Sequence, residues 1–290
     1  MTLEQFVDEP DGPARSLVVL NRAAPDPIQT MLANAFEGTP VSVSESAVPD
    51  ADDDVVVLVE DGEVLASSTL TELQNSLLLV NSDLYITGTK SLDRFELPEV
   101  LAGLDDIPFT LRGYPESNKE KLLLVLISRY IERLAWESGA GKLRSSFQRL
   151  SRINDERGTR TVYDQIADSP VDVHLYGVPD WTPPPELGVT MHGGYDEDFR
   201  DSWFVVHRTA PDRGEARNGD EARNGNAAHN AAGDDLGNTV GSDGKRAGKP
   251  GAGGDAALVA LEVEPRRWRG FWTFDESLVA DIDRYVQREL

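Results

Sequence analysis

One stretch governs what this chain can build. From Arg208 to Asp255 it runs through Gly, Asn, Ala, Asp and Arg with almost no apolar side chains. Strand-like segments flank it, Trp203 to His207 before and Ala257 to Val263 after. So apolar-poor a tract buries too little surface to offset its ordering entropy, and residues 208–256 read as a disordered insertion. Strands on both sides place it inside a C-terminal hairpin rather than between domains. What remains of the 290 residues suffices for one large domain or two modest ones.

The tract takes only eight acidic and seven basic residues from totals of 51 and 28, leaving 43 acids and 21 bases on the folded part. Such a surface repels itself in dilute buffer and is tolerated where concentrated salt screens it. Lysine is scarce, six residues, and arginine predominates; the combination is the habit of proteins from salt-in halophiles, archaeal ones above all. An acidic surface made for a basic partner is the alternative. Direct nucleic-acid binding needs a basic stripe, and Arg266-Arg267-Trp268-Arg269 is too short to supply one. Absence of cysteine excludes disulfides and thiolate chemistry. The longest aliphatic run, Leu122 to Ile127, is far short of the roughly 20 residues of a bilayer span. The N-terminal MTLEQFVDEPDG has no signal-peptide pattern. A cytoplasmic protein without a membrane segment is expected.

The periodicities predict an α+β fold with mixed sheets packed against helices. Strands are expected at Ser16 to Asn21, Val41 to Val43 and Asp54 to Glu60, the last turning at Asp61-Gly62 into Glu63 to Ser67. Helices follow the spacing of Ile28, Met31, Leu32 and Phe36, and of Leu70, Leu73, Leu77 and Val80. Residues 81–116 read as irregular. Ser117 and Glu120 form a capping box for a long helix striped by Leu123, Ile127, Tyr130 and Leu134 and ended by Gly139 to Gly141. Leu143, Phe147 and Leu150 predict a second helix, Val162 to Ala167 a third. Strands then recur at Val171 to Tyr176, Val189 to His192, Trp203 to His207, Ala257 to Val263 and Gly270 to Phe274. A last helix, capped by Thr273 and Glu276, carries Leu278, Val279, Ile282, Tyr285 and Val286. Residues 1–110 form a small α/β unit, separate or part of the same domain, and 111–290 the main one.

Gly139-Ala-Gly-Lys142 lacks the leading glycine and trailing hydroxyl of a phosphate loop, and reads as a turn between helices. His174, His192 and His207 fall in strand-like segments; were those strands neighbours, the three imidazoles could meet at a metal. Alternation puts His174 beside Asp172 and Tyr176, opposite Val173 and Leu175. Scattered half-buried histidines are the commoner outcome, and no metal or cofactor is expected. All five tryptophans lie in the second half. Aromatics in strands are mostly core, but some can line a recognition cleft. Trp181, between Pro179 and Pro183-Pro184-Pro185, sits in a stiff loop at a strand end.

Phe147-Gln-Arg-Leu-Ser-Arg152, Val173-His-Leu-Tyr-Gly-Val-Pro-Asp-Trp181, Ser202-Trp-Phe-Val-Val206 and Gly270-Phe-Trp-Thr-Phe-Asp275 occur in that order. Together they resemble the DICT sensory domain, most closely from Ser117 to Leu290. The resemblance implies an α+β sensory module without enzymatic activity, wired to a signalling output. The sequence departs from it in the length of the insertion. It also carries no diguanylate-cyclase GGDEF motif, kinase ATP-binding box or receiver domain, so a separate output partner is implied. On this reading Tyr176, Trp181, Trp203 and Trp272 lie near the recognition site, with His174 and Arg149 as its polar contacts. The partner is an unidentified small ligand or signalling protein. Two rivals remain open: an enzyme using His174 with Asp172 or Asp180 as acid–base groups, and a structural interaction protein.

Overall fold

The computed structural model describes residues 2–8, 13–23, 27–37, 39–82, 92–112, 121–155, 157–209 and 254–290. In chain order its elements are α1 (Leu3–Asp8), β1 (Arg15–Leu20), α2 (Pro27–Ala35), β2 (Val41–Ser46), β3 (Val55–Glu60), β4 (Glu63–Thr69), α3 (Leu70–Ser82), α4 (Glu99–Ala102), β5 (Phe109–Arg112), α5 (Lys121–Ser138), β6 (Lys142–Arg149), α6 (Arg152–Asp155), α7 (Arg157–Ala167), β7 (Asp172–Val178), β8 (Thr190–Gly193), α8 (Glu197–Arg200), β9 (Ser202–Arg208), β10 (Ala256–Glu264), β11 (Arg267–Thr273) and α9 (Glu276–Glu289).

The strands form two mixed sheets. The smaller has the order β2-β1-β3-β4, with β1 and β2 parallel and the other neighbours antiparallel. Its β3–β4 hairpin turns at Asp61 and Gly62, both at positive φ, as the Asp-Gly signal predicts. Thr69 and Glu72 exchange side-chain and backbone hydrogen bonds across the first turn of α3, a complete capping box. The larger sheet has the order β5-β11-β10-β9-β6-β7-β8. Parallel pairs β6–β7 and β7–β8 stand at one side, and antiparallel pairs make up the rest.

Helices cover both faces of the large sheet. On one face α5 lies across β9 and β10, with α7 beside it and α3 behind. On the other, α1, α8 and α9 pack against β6, β7, β9, β10 and β11. Alternation along β9 sorts the side chains: Trp203 and Val205 face α5, while Phe204 and Val206 face α9. One buried cluster runs from Leu17 and Leu58 of the small sheet, through α5, to Trp268 and Trp272 of the large one. A second, with Phe6, Tyr176, Phe271 and Tyr285, lies under α1 and α9.

Four local expectations need correction. Leu143, Phe147 and Leu150 mark no helix: Lys142–Arg149 is strand β6, inserted between β7 and β9. A central strand is buried on both faces, so its apolar residues lose period-two alternation and mimic a helical spacing. Gly139 and Gly141, both at positive φ, therefore turn a helix into a strand. Asp275, not Thr273, caps α9, its carboxylate accepting from the Ser277 and Leu278 N–H groups. Within 81–116, read as irregular, the chain forms α4 and the edge strand β5. The Ser117–Glu120 box lies outside the described residues, as does 210–253 of the insertion, which joins β9 to β10. No helix among the described residues is long and apolar enough to cross a membrane.

Candidate functional site

A cleft of about 310 Å³ opens where β6 parts from β9. The two strands pair only from Lys142 to Ser145. Beyond that, Ser146 Oγ replaces the ladder, accepting from the Phe204 N–H at 2.7 Å and donating to the Ser202 carbonyl at 3.3 Å. Between Ser146 and Arg149 the β6–β7 register also shifts, with Gln148 at φ 31°. A bulge of this kind bends its strand and re-aims its side chains. Here it opens a gap at the carboxyl end of β6, roofed by α5 and α7.

The floor is polar and densely bonded. Spacings of three, four and seven from Val125 put Ser128, Arg129 and Glu132 on the cleft side of α5. Arg129 and Glu132 are 4 % and 2 % exposed. The Arg129 guanidinium donates to Glu132 Oε2 at 2.5 Å and to Thr159 Oγ1 at 2.9 Å, and the Tyr163 hydroxyl donates to Glu132 Oε1 at 2.8 Å. Burial first, then the facing Glu132 carboxylate, hold the Tyr163 phenol well above its usual range, so it stays protonated. Phe147 packs edge-on against Tyr163, and Trp203 edge-on against Trp268. The Trp203 indole N–H donates to Ser128 Oγ at 3.0 Å. Lys121, Ser145, Gln148, Arg152 and Val205 also line the cleft.

Of the six residues singled out by sequence, only Trp203 lines this cleft. Trp272 is fully buried, packed against Phe36 and Phe109. Trp181 is half-buried against the same core cluster. Arg149 ends strand β6, not the helix predicted through Phe147 and Leu150, and its exposed side chain pairs with Asp180 at 3.7 Å. Tyr176 and His174 face the opposite side of the sheet from Trp203, because β7 alternates against Val173 and Leu175. There His174 Nδ1 lies 2.9 Å from His192 Nε2, His174 Nε2 lies 3.0 Å from Asp172, and His192 stacks on Tyr176. Arg144 holds the Tyr176 hydroxyl at 2.8 Å and Asp283 at 2.6 Å. Burial, then the neighbouring His174, lower the pKa of His192. His207 does not join this pair: it is buried in β9 opposite Leu143, on the Trp203 face, with Nδ1 toward the Lys142 carbonyl. Among the described residues no three His, Asp or Glu side chains are grouped to hold a metal. Asp180 bonds to Ser151 rather than to His174.

Sequence reading passed over Ser128, Arg129, Glu132, Thr159 and Tyr163. The signal for the first three is present: α5 is buried without a break from Leu123 to Glu132, and charges inside so buried a run need partners.

No curated protein matches the chain. A polyphosphate kinase structure from Porphyromonas gingivalis aligns at 9 % identity and a TM-score of 0.30, over 98 % of this chain. The chain spans 47 % of that kinase, and the likeness is too remote to bear on fold or function. Residues 99–211 match the DICT family model, described as a sensory domain in diguanylate cyclases and two-component systems, and every described residue lining the cleft falls within that stretch.

Proposed function

We propose that this chain is a sensory module that binds a small polar ligand in the cleft between α5, α7, β6 and β9, and passes the signal to a separate partner protein. One observation carries the reading: the matched sensory segment encloses a concave site whose floor is a buried, charge-balanced network and whose walls are half-buried aromatics. Pockets of this size and make-up are typical small-molecule sites. A separate partner is in keeping with the family description, a sensory domain of diguanylate cyclases and two-component systems.

The test is native mass spectrometry of protein purified from its host in high salt, beside Val125→Phe, which fills the cleft from α5. The wild type should carry a small molecule that the variant, folded by circular dichroism, loses. A wild type that carries none, or a variant that retains the same mass, would refute the assignment.

The acid–base reading finds a His174–Asp172 pair, but neither residue lines the cleft.

A further inference from the structure

We propose that the ligand is a small aromatic carboxylate, an inference that rests on the cleft being the sensing site. The first argument is charge. The chain carries a formal −23, yet among the described residues the cleft is lined by Lys121, Arg129 and Arg152 against one carboxylate, that of Glu132. That carboxylate is committed, since it accepts from both Arg129 and Tyr163. Among the described residues a cationic ligand therefore meets no available counter-charge. Arg152, half-buried on the lining, makes no ion pair or hydrogen bond with a described residue.

The second argument is the sense of the remaining hydrogen-bonding capacity. Ser128, 5 % exposed, accepts from Trp203, and its own hydrogen has no acceptor among the described residues. Ser145 Oγ is 1 % exposed and faces the Tyr163 phenol without closing a well-formed hydrogen bond to it. A buried hydroxyl without an acceptor is costly to leave so. What the cleft offers a guest is thus donors: two hydroxyls and a guanidinium, matched by the acceptor-only oxygens of a carboxylate. The walls decide the remainder of the molecule. Phe147 and Trp203 both line the cleft and are only half-buried, so each has uncovered ring surface to offer a planar guest. About 310 Å³ holds one ring with a short acidic arm.

Three probes of one shape separate the possibilities: 3-phenylpropanoate, 3-phenylpropylamine and 3-phenylpropanol. Each is titrated by calorimetry at the lowest KCl concentration at which the chain keeps its fold. The acid should bind at least tenfold tighter than the amine or the alcohol. Arg152→Gln should erase that preference, and Arg152→Glu should reverse it towards the amine; Arg152 is half-exposed, so both variants should stay folded by circular dichroism. If the amine or alcohol binds best to the wild type and the Arg152 variants change that affinity, the cleft is the site and the carboxylate assignment is overturned. If no probe binds, or binding ignores Arg152, the cleft reading falls with it.

Discussion

Breaking the Arg129–Glu132 pair from one side should cost far more than removing it whole. Both side chains are almost sealed from water, 5 % and 3 % exposed, with 2.5 Å between donor and acceptor. Arg129→Met leaves the Glu132 carboxylate with the Tyr163 hydroxyl as its remaining partner among the described residues; Glu132→Gln leaves the Arg129 guanidinium with Thr159 as its remaining partner from this network. Stranding one charge of a buried pair typically costs about 3–5 kcal/mol, a large share of the roughly 5–15 kcal/mol by which domains are stable. The double variant has no charge to strand. Methionine replaces the arginine stem with a flexible apolar chain of similar reach, and the side-chain amide oxygen that Glu132→Gln introduces still accepts from Tyr163. It should therefore recover to within about 1 kcal/mol of the wild type.

The assay is urea unfolding followed by circular dichroism at fixed KCl, on the four proteins of the cycle. Their slopes should agree, so that midpoints report stability alone. Additive losses, with the double variant at least as damaged as the worse single, would show that the two groups are not coupled and that the floor is not a charge-balanced network.

Four further outcomes are expected. Trp272→Ala should cost about 3–5 kcal/mol in the same assay, since the ring is fully buried between Phe36 and Phe109; a loss under about 1 kcal/mol would argue against a core role. Burial first, then Asp106, raise the Asp105 pKa to about 6, so its carboxylate costs stability above that pH and not below about 4. Asp105→Asn should gain on the order of 2 kcal/mol at pH 8, a gain that fades as the pH falls from 6 to 4; an equal gain at pH 8 and pH 4 would contradict this. Replacing residues 210–253 by a short Gly-rich turn should leave the melting temperature within a few degrees, because β9 and β10 already pair up to His207 and Ala256 and loop closure changes by only about 1 kcal/mol. Lowering KCl towards millimolar levels should unfold or aggregate the chain, as 43 acids against 21 bases lose their screening; an unchanged circular dichroism spectrum would remove the case for a halophilic surface.

The elements legible in the sequence are those whose local preferences agree with their surroundings. The β3–β4 hairpin needed only Asp61-Gly62, and α3 and α9 only their apolar spacing. The alternation read along β7, with His174 and Tyr176 on one face and Val173 and Leu175 on the other, also matches the structure, because that strand has two differently occupied sides. β6 failed the same reading. It lies between a parallel and an antiparallel neighbour, its faces are both covered, and a bulge breaks the period at Gln148. Nothing local in Lys142-Leu-Arg-Ser-Ser-Phe-Gln-Arg149 announces those neighbours, so the contacts that decide its state are all long-range.

That misreading explains why the cleft stayed out of sight. A search for a site through aromatics favours rings, and in this chain most rings are structural: Trp272 fills the core, and Tyr176 braces Arg144 on the far face of the sheet. The cleft instead depends on where β6 leaves β9 and on what α5 turns towards that gap. Arg129 and Glu132 stand three residues apart inside a helix that is otherwise aliphatic up to Ile127 and packed on all sides. Desolvating two charges there forgoes the stability that an apolar pair of similar volume often supplies. A fold that needed only to close this seam would do as well with leucine and methionine at those positions. The network therefore makes most sense as a surface held ready for a polar guest: Glu132 and Tyr163 fix the arginine, and the arginine in turn orients Thr159 beside the gap. Donors ordered in advance lower the entropic cost of binding, leaving mainly the guest's own loss of freedom, which suits the small-molecule recognition proposed above.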